Sequence, residues 1–300
     1  MLSRRAALGL AAAGAAWVVA GCGGDDDGGT GSVPTPPGPP DDEEDGVTVI
    51  AYGDEHELQR GALSRPDGAG PHPVVVLVHG GFWRAGYDRA LMDGLAASVV
   101  DAGWAAWNVD YRPVGDGGGW PTTFTDVAAA VDHLDALAAE HDLDLDRVAV
   151  VGHSAGGTLA LWSAARAGLP ADAPGAGPVV VPAAVVSQAG VTNLAAGSLE
   201  QLGGGAVDDL MGGSATTHGS RYGLASPIER LPLDRPTYLV HGRDDEIVPP
   251  VLSETYRDRA VDAGDDVTAR ILDDVDHFAV IDPEHESWQG VVEWLGEHLA

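Results

Sequence analysis

The sequence predicts an α/β fold built on a mostly parallel sheet with helices on both faces, and three observations carry that expectation. Short apolar runs rich in Val alternate with segments of helical spacing across residues 74–300, and parallel strands need such crossover helices. The runs at 74–78 and 148–151 are apolar without alternation, the pattern of strands buried on both faces. With 300 residues, 44% of them hydrophobic, the chain is large enough for one sizeable core.

Residues 1–21 precede the fold. Met1-Leu2-Ser3-Arg4-Arg5 leads into an Ala/Leu/Val run that ends in Val19-Ala20-Gly21-Cys22, the charged, apolar and small-residue order of an export signal. The run is short for a membrane span, and it resembles a bacterial lipoprotein signal cut before Cys22, which is then acylated. Ser3-Arg4-Arg5 also resembles a twin-arginine motif, which leaves the export route open. The expected location is therefore the outer face of the cell membrane, held by a lipid on Cys22. Cys22 is the one cysteine in the chain, so its lipidation leaves no thiol for catalysis, a disulfide or a Cys-based metal site. Residues 22–46 are dominated by Gly, Pro and acids, including Asp25-Asp26-Asp27 and Asp41-Asp42-Glu43-Glu44-Asp45. Such a stretch cannot bury apolar surface and is expected to be a disordered tether. The spacing of its aspartates matches no calcium loop.

The folded domain is expected to occupy residues 47–300. Strands are expected at 47–51 and 57–63, the second followed by a Pro66-Asp67-Gly68 turn. A buried strand at 74–78 runs into His79-Gly80-Gly81-Phe82-Trp83, a helix follows at 88–102, a strand at 104–109 and a helix at 124–140. The strand at 148–151 turns through Gly152-His153-Ser154-Ala155-Gly156 into a helix at 158–165. Strands at 183–187, 237–240 and 267–272, a helix at 252–263 and a closing helix after Pro283 complete the order. Residues 193–232, Gly-rich and without a clear period, read as a lid-like insertion above the sheet.

Net charge is −30, and all 16 basic residues are arginine. Such a surface repels nucleic acid and disfavours polyanionic substrates while keeping the chain soluble. It bears on partners and not on the reaction.

Chemistry concentrates at the turn after the strand at 148–151. Glycines flanking Ser154 allow a bend sharp enough to expose its hydroxyl, and the following helix offers free amide ends to a developing negative charge. Strand, G-x-S-x-G and helix together read as a nucleophile elbow. A serine hydroxyl needs a base, and the base needs a carboxylate. Both are expected later in the chain, in the order serine, acid, histidine. His241-Gly242-Arg243-Asp244-Asp245-Glu246-Ile247-Val248-Pro249 follows a buried strand and offers Asp244, Asp245 and Glu246; the pattern His-Gly-x-x-Asp-x-x-Val-Pro selects Asp245, with Asp244 solvent-facing or paired to Arg243. Among 11 histidines, His277 alone sits after the final strand and before the last helix. His79 and His153 lie in or beside tight turns and read as braces, and His241 as structural. Loops at the carboxyl ends of parallel strands share one crevice. An oxyanion hole is expected from the amides of Ala155, Gly81 and Phe82, with Gly80 the near alternative. Trp83, Tyr111, Trp120 and Tyr222 sit on loops near the crevice and are candidates to line a substrate pocket. Gly117-Gly118-Gly119-Trp120-Pro121 lacks the Lys-Ser/Thr ending of a phosphate loop.

From Val74 onward the chain resembles an α/β-hydrolase of the esterase/lipase superfamily. His79-Gly80-Gly81-Phe82-Trp83 is similar to the HGGxW motif of kynurenine formamidases and related small-substrate hydrolases, and Gly152-His153-Ser154-Ala155-Gly156 matches their elbow. The resemblance implies an α/β-hydrolase fold, a Ser154–Asp245–His277 triad, an acyl-enzyme intermediate, a small acyl substrate and no cofactor or metal. It favours ester cleavage, with arylformamidase, amidase or aminopeptidase activity on the same triad as alternatives. Export with a lipid anchor departs from an intracellular formamidase, and the N-terminal segment is too short for the propeller of prolyl oligopeptidases. A reading of another class is a non-catalytic binding lipoprotein on the hydrolase fold, which would be expected to have lost a triad member.

Overall fold

The computed structural model describes residues 46–300 together with the backbone of Glu43–Glu44. The export signal, the lipidation at Cys22 and most of the tether lie outside the described residues. Among the described residues the strands are β1 (Glu43–Glu44), β2 (Val47–Ala51), β3 (Arg60–Ser64), β4 (His72–Val78), β5 (Ala105–Val109), β6 (Leu143–His153), β7 (Ala184–Gln188), β8 (Thr237–Gly242) and β9 (Val267–Leu272). They form one sheet in the order β1-β2-β3-β5-β4-β6-β7-β8-β9. From β5 to β9 every neighbouring pair is parallel, whereas β1, β2 and β3 add to the β5 edge antiparallel. The sheet thus begins inside the segment that the sequence assigns to the tether, with Glu43 opposite Thr48 and Glu44 opposite Val47.

The longer helices are α1 (Asp93–Asp101), α2 (Thr122–Asp132), α3 (Leu134–Leu137), α4 (Ala155–Ala165), α5 (Leu194–Leu199), α6 (Leu202–Met211), α7 (Gly219–Ala225), α8 (Val251–Ala263) and α9 (Glu286–His298). Val74 to Val78 are wholly buried, and alternate residues feed two cores. Val74, Val76 and Val78 pack with α2, α4 and α8 through Phe124, Val127, Leu159 and Tyr256. Val75 and Leu77 pack with α1 and α9 through Leu95, Val99, Trp288 and Leu295. A strand covered on both sides cannot alternate apolar with polar, which is why its sequence reads as an unbroken Val/Leu run. All of α4 is buried, and apart from Thr158 and Ser163 this helix behind the elbow carries only glycine and apolar residues around its circumference.

Two expectations need correction. The helix expected at 124–140 is divided into α2 and α3. His133 keeps helical dihedrals (φ −63°, ψ −21°), and the turn tightens where the Ala136 N–H donates to the His133 carbonyl at 3.0 Å. Residues 193–232, in which the sequence shows no clear period, carry α5, α6 and α7. Their period is hidden because the helices are short and α6 is entered through Gly203, Gly204 and Gly205, all at positive φ. The Asn193 side chain caps α5 by accepting from Ala196 N–H. Asp208 then stitches the segment together by accepting from Ser198 Oγ, Gln201 Nε2 and Tyr222 OH.

With a net charge of −30, self-repulsion opposes this compact state at low salt. Raising ionic strength from about 0.1 M to about 1 M cuts the screening length from about 10 Å to about 3 Å. Calorimetry across that range is expected to show Tm rising with salt, and a flat or falling Tm would contradict it.

Candidate active site

Parallel strands bring the chemistry-bearing loops to one edge of the sheet. The loops after β4, β6, β8 and β9 carry His79–Trp83 residues, Ser154, Asp245 and His277 respectively. Ser154 sits between β6 and α4 at φ 55°, ψ −118°, a sparsely populated conformation for a residue with a side chain. Its own N–H donates to the Gln188 carbonyl at 2.8 Å, which holds the bend. The glycine two residues on is needed for space. A Cβ on Gly156 would lie 2.0 Å from the Val78 carbonyl oxygen, so β4 and the start of α4 could not approach.

Asp245 and His277 are joined across 32 residues, with the ring Nδ1 2.6 Å from Asp245 Oδ2. Their backbones meet because Gly242 lets the two loops touch: a Cβ there would fall 2.0 Å from the Val275 oxygen. The Asp244 N–H donates to that same oxygen at 3.1 Å. Asp276 steadies the other side of His277 by accepting from the Phe278 and Ala279 amides. Asp244 is exposed, as expected, but Arg243 turns instead to Asp273 and Glu254.

The Asp245 carboxylate accepts four hydrogen bonds. Ile247 and Val248 amides reach Oδ1 at 2.8 Å each, and His277 and His241 reach Oδ2. Burial by itself would raise this carboxyl, but the bonds from His241, His277 and Val248 outweigh it and hold the group well below the usual carboxylate range. An ionised Asp245 only accepts, so His277 carries its proton on Nδ1 and presents a free lone pair at Nε2. His241 has Nε2 against both Asp245 Oδ2 and the Val248 carbonyl and Nδ1 2.8 Å from Ser253 Oγ. Among the described residues the Ser154 hydroxyl makes no hydrogen bond of its own, whereas the Asp245–His277 pair is formed.

The loop after β4 turns through three positive φ values in succession, at Gly81, Phe82 and Trp83. Among the described residues the N–H groups of Gly81, Phe82 and Ala155 donate to no backbone carbonyl in turns or loops. The Trp83 indole N–H donates to the Ala155 carbonyl at 3.0 Å and clamps this loop to the start of α4. Trp83 is therefore buried as a strut and does not line an open pocket. Tyr111 and Tyr222 also depart from the pocket role. Tyr111 stacks on His79 at 4.3 Å and donates to the His79 carbonyl, while Tyr222 bonds Asp208 and the Gly213 carbonyl. Their rings pack and their hydroxyls are spent on protein acceptors. Trp120 is half-buried, edge-on to Phe124.

The sequence profile described as BD-FAE matches residues 63–259, well over half of the chain. The chain belongs to the BD-FAE family. Curated relatives include a probable carboxylic ester hydrolase, LipM, of Mycobacterium tuberculosis, 28% identical over 61% of this chain and 43% of that protein. The esterase LipC of the same organism is 35% identical over 42% of this chain and 30% of that protein. This BD-FAE member thus spans less than half the length of the curated relatives it matches. Its fold is that of α/β-hydrolase esterases. A truncated carbohydrate esterase from gut microbiota superposes with a TM-score of 0.75 at 19% identity, over 86% of this chain and 98% of that one. The carboxylesterase Cest-2923 of Lactobacillus plantarum WCFS1 gives 0.69 at 17%, over 84% and 97%.

Three residues of this BD-FAE site go beyond what the sequence singled out. His241 is a direct partner of Asp245, and its only sequence signal is its place at the head of the H-G-x-x-D loop. Phe278 is half exposed and edge-on to the His277 ring at 5.3 Å, and Tyr87 covers Gly81, where a Cβ would meet its ring. These aromatics border the loops without any periodic pattern to announce them.

Burial, and then the neighbouring His277, push the His153 ring down to about 3. Its unfolded value is near 6.5, so between those limits the unfolded chain binds a proton that the folded ring refuses. Stability is then lost as pH falls through that window, by up to about 1.4 kcal/mol per pH unit. Asp245 adds a further loss below about pH 4, where its unfolded carboxyl protonates first. Thermal unfolding between about pH 7 and pH 4.5 is expected to fall more steeply for the wild type than for His153→Gln, and parallel slopes would contradict a buried neutral ring.

Proposed function

We propose that this chain is a serine carboxylesterase that cleaves small carboxylic esters through an acyl-enzyme intermediate. The observation that carries the reading is the buried Asp245–His277 pair, 2.6 Å apart, on loops beside a serine held at φ 55°. The esterase names of the curated relatives support the same reaction class.

Ser154 Oγ attacks the ester carbonyl while His277 Nε2 takes its proton, and Asp245 stabilises the imidazolium that results. The carbonyl oxygen becomes negative and is met by the N–H groups of Gly81, Phe82 and Ala155, which have no competing acceptor in the turns around them. Collapse expels the alcohol, which leaves with the proton from His277. Water then enters, gives a proton to His277 and releases the acid. Each removed oxyanion donor is expected to cost about 3 kcal/mol in the barrier. The strain at Ser154 is consistent with this role, because backbone stored in an unfavourable region is commonly retained where it aims a reacting group.

Purified protein is expected to hydrolyse p-nitrophenyl acetate and butyrate and to be labelled by a fluorophosphonate probe. Ser154→Ala should abolish labelling and lower kcat by about 10⁴-fold or more, with His277→Ala close behind. Faster turnover of an N-formyl aryl amine than of any ester would replace esterase by formamidase, and labelling that survives Ser154→Ala would remove the serine reading.

The reading also has the protein exported and anchored through a lipid on Cys22, supported by the apolar run before Val19-Ala20-Gly21-Cys22 and the acidic Gly/Pro stretch after it. Metabolic labelling with an alkyne fatty acid should mark the wild type and not Cys22→Ala, which should leave the membrane fraction. Equal labelling of both would contradict the anchor.

A further inference from the structure

We infer that His153 is a positioning residue for this reaction, its imidazole N–H fixing the main chain of His277 beside the nucleophile. The inference rests on the serine-hydrolase reading above. His153 ends β6 and is the residue immediately before Ser154, so its backbone is placed by the same bend. Its side chain is buried, with Nε2 3.0 Å from the His277 carbonyl oxygen. A carbonyl only accepts, so Nε2 carries the proton and Nδ1 carries a lone pair.

That lone pair is the informative atom. Nδ1 is buried and has no hydrogen-bond partner, an arrangement that costs stability. A residue retained for packing alone would do better as a leucine, which fills space and leaves nothing unpaired. The ring is kept because its other nitrogen does something a leucine cannot. Among the described residues, His153 supplies the one hydrogen bond made by the His277 main chain. The neighbouring ties, from Asp276 and Gln188, hold residues 278–280 and not His277 itself.

The placement also joins the other half of the site. A Cβ on Gly80 would lie 2.9 Å from His153 Nδ1 and 3.0 Å from Ser154 Cβ, so the ring is wedged between the loop after β4 and the base loop. The His153 and His277 ring centroids are 4.7 Å apart. During turnover His277 becomes cationic, and a second cation at that distance would oppose it. Burial keeps His153 neutral, so the brace works without competing for the proton.

The test uses the full chain with p-nitrophenyl acetate, comparing wild type, Ser154→Ala, His153→Leu, His153→Gln and His153→Asn, with Tm measured for each. A glutamine amide nitrogen falls close to the place of Nε2, whereas asparagine is too short to reach the His277 carbonyl. His153→Leu is expected to keep or raise Tm yet lower kcat about 10- to 100-fold, because a small misplacement of a catalytic group is enough for that loss. KM should stay within about twofold, since substrate binding is not the interaction removed. Glutamine should restore most of kcat, and asparagine should not. A leucine variant with wild-type kcat, or glutamine and asparagine variants with equal kcat, overturns the inference. Should the leucine variant not fold, the glutamine–asparagine comparison decides alone. An inactive Ser154→Ala beside a fully active His153→Leu rejects the positioning role and leaves the serine reading intact, whereas turnover by Ser154→Ala rejects both.

Discussion

A carboxylate buried at the end of β8 organises the site. Charge taken out of water is costly unless it is met by donors, and Asp245 meets four: two amides of its own turn and the rings of His241 and His277. The amides tighten the turn that follows the strand, so the negative charge shapes the loop that presents it. His277 in turn cannot move far without leaving that charge short of a partner. The tautomer of His277, with its free lone pair at Nε2, follows from the same requirement.

The sheet makes this arrangement possible at little cost to the core. Strands β4, β6, β8 and β9 are parallel or share parallel neighbours, so the loops following them emerge on one side. Close approach is then a matter of removing side chains at the crossings. Glycine at 156 lets the turn at Ser154 touch β4, and glycine at 242 lets the loop that carries His277 touch β8. Where a bulky residue does cross, as at Trp83, its polar edge is used to tie one loop to another. The helical segment at 194–225 is held by its own hub at Asp208, and Gly203 lies against the Phe82 ring of the loop after β4.

Much of this was legible in the residues. The unbroken Val run at 74–78 announced a strand buried on two faces, and the G-x-S-x-G turn between an apolar run and an apolar helix announced the bend at Ser154. The pairing of Asp245 with His277 followed from chain order, the strand-end rule and the His-Gly-x-x-Asp-x-x-Val-Pro pattern that selects Asp245 among three neighbouring acids. What stayed hidden depends on three-dimensional packing. Short helices broken by three left-handed glycines leave no period to read, so residues 193–232 looked irregular. Aromatics on loops are ambiguous in sequence, because the same Tyr111 or Tyr222 serves a pocket or a brace according to where its hydroxyl finds an acceptor. His153 as a brace and His241 as structural were legible, but their partners were not, because the bonds run to residues 4 positions away for His241 and 124 away for His153.

The proposed convergence of three loops on one reacting atom is tested most directly by a crystal structure of the protein inactivated with an ethyl p-nitrophenyl phosphonate. The phosphorus is expected on Ser154 Oγ, with its anionic oxygen about 2.7–3.1 Å from the amides of Phe82 and Ala155 and the His277 ring still bound to Asp245. An adduct on another residue, or a phosphonyl oxygen turned away from both amides, would contradict it.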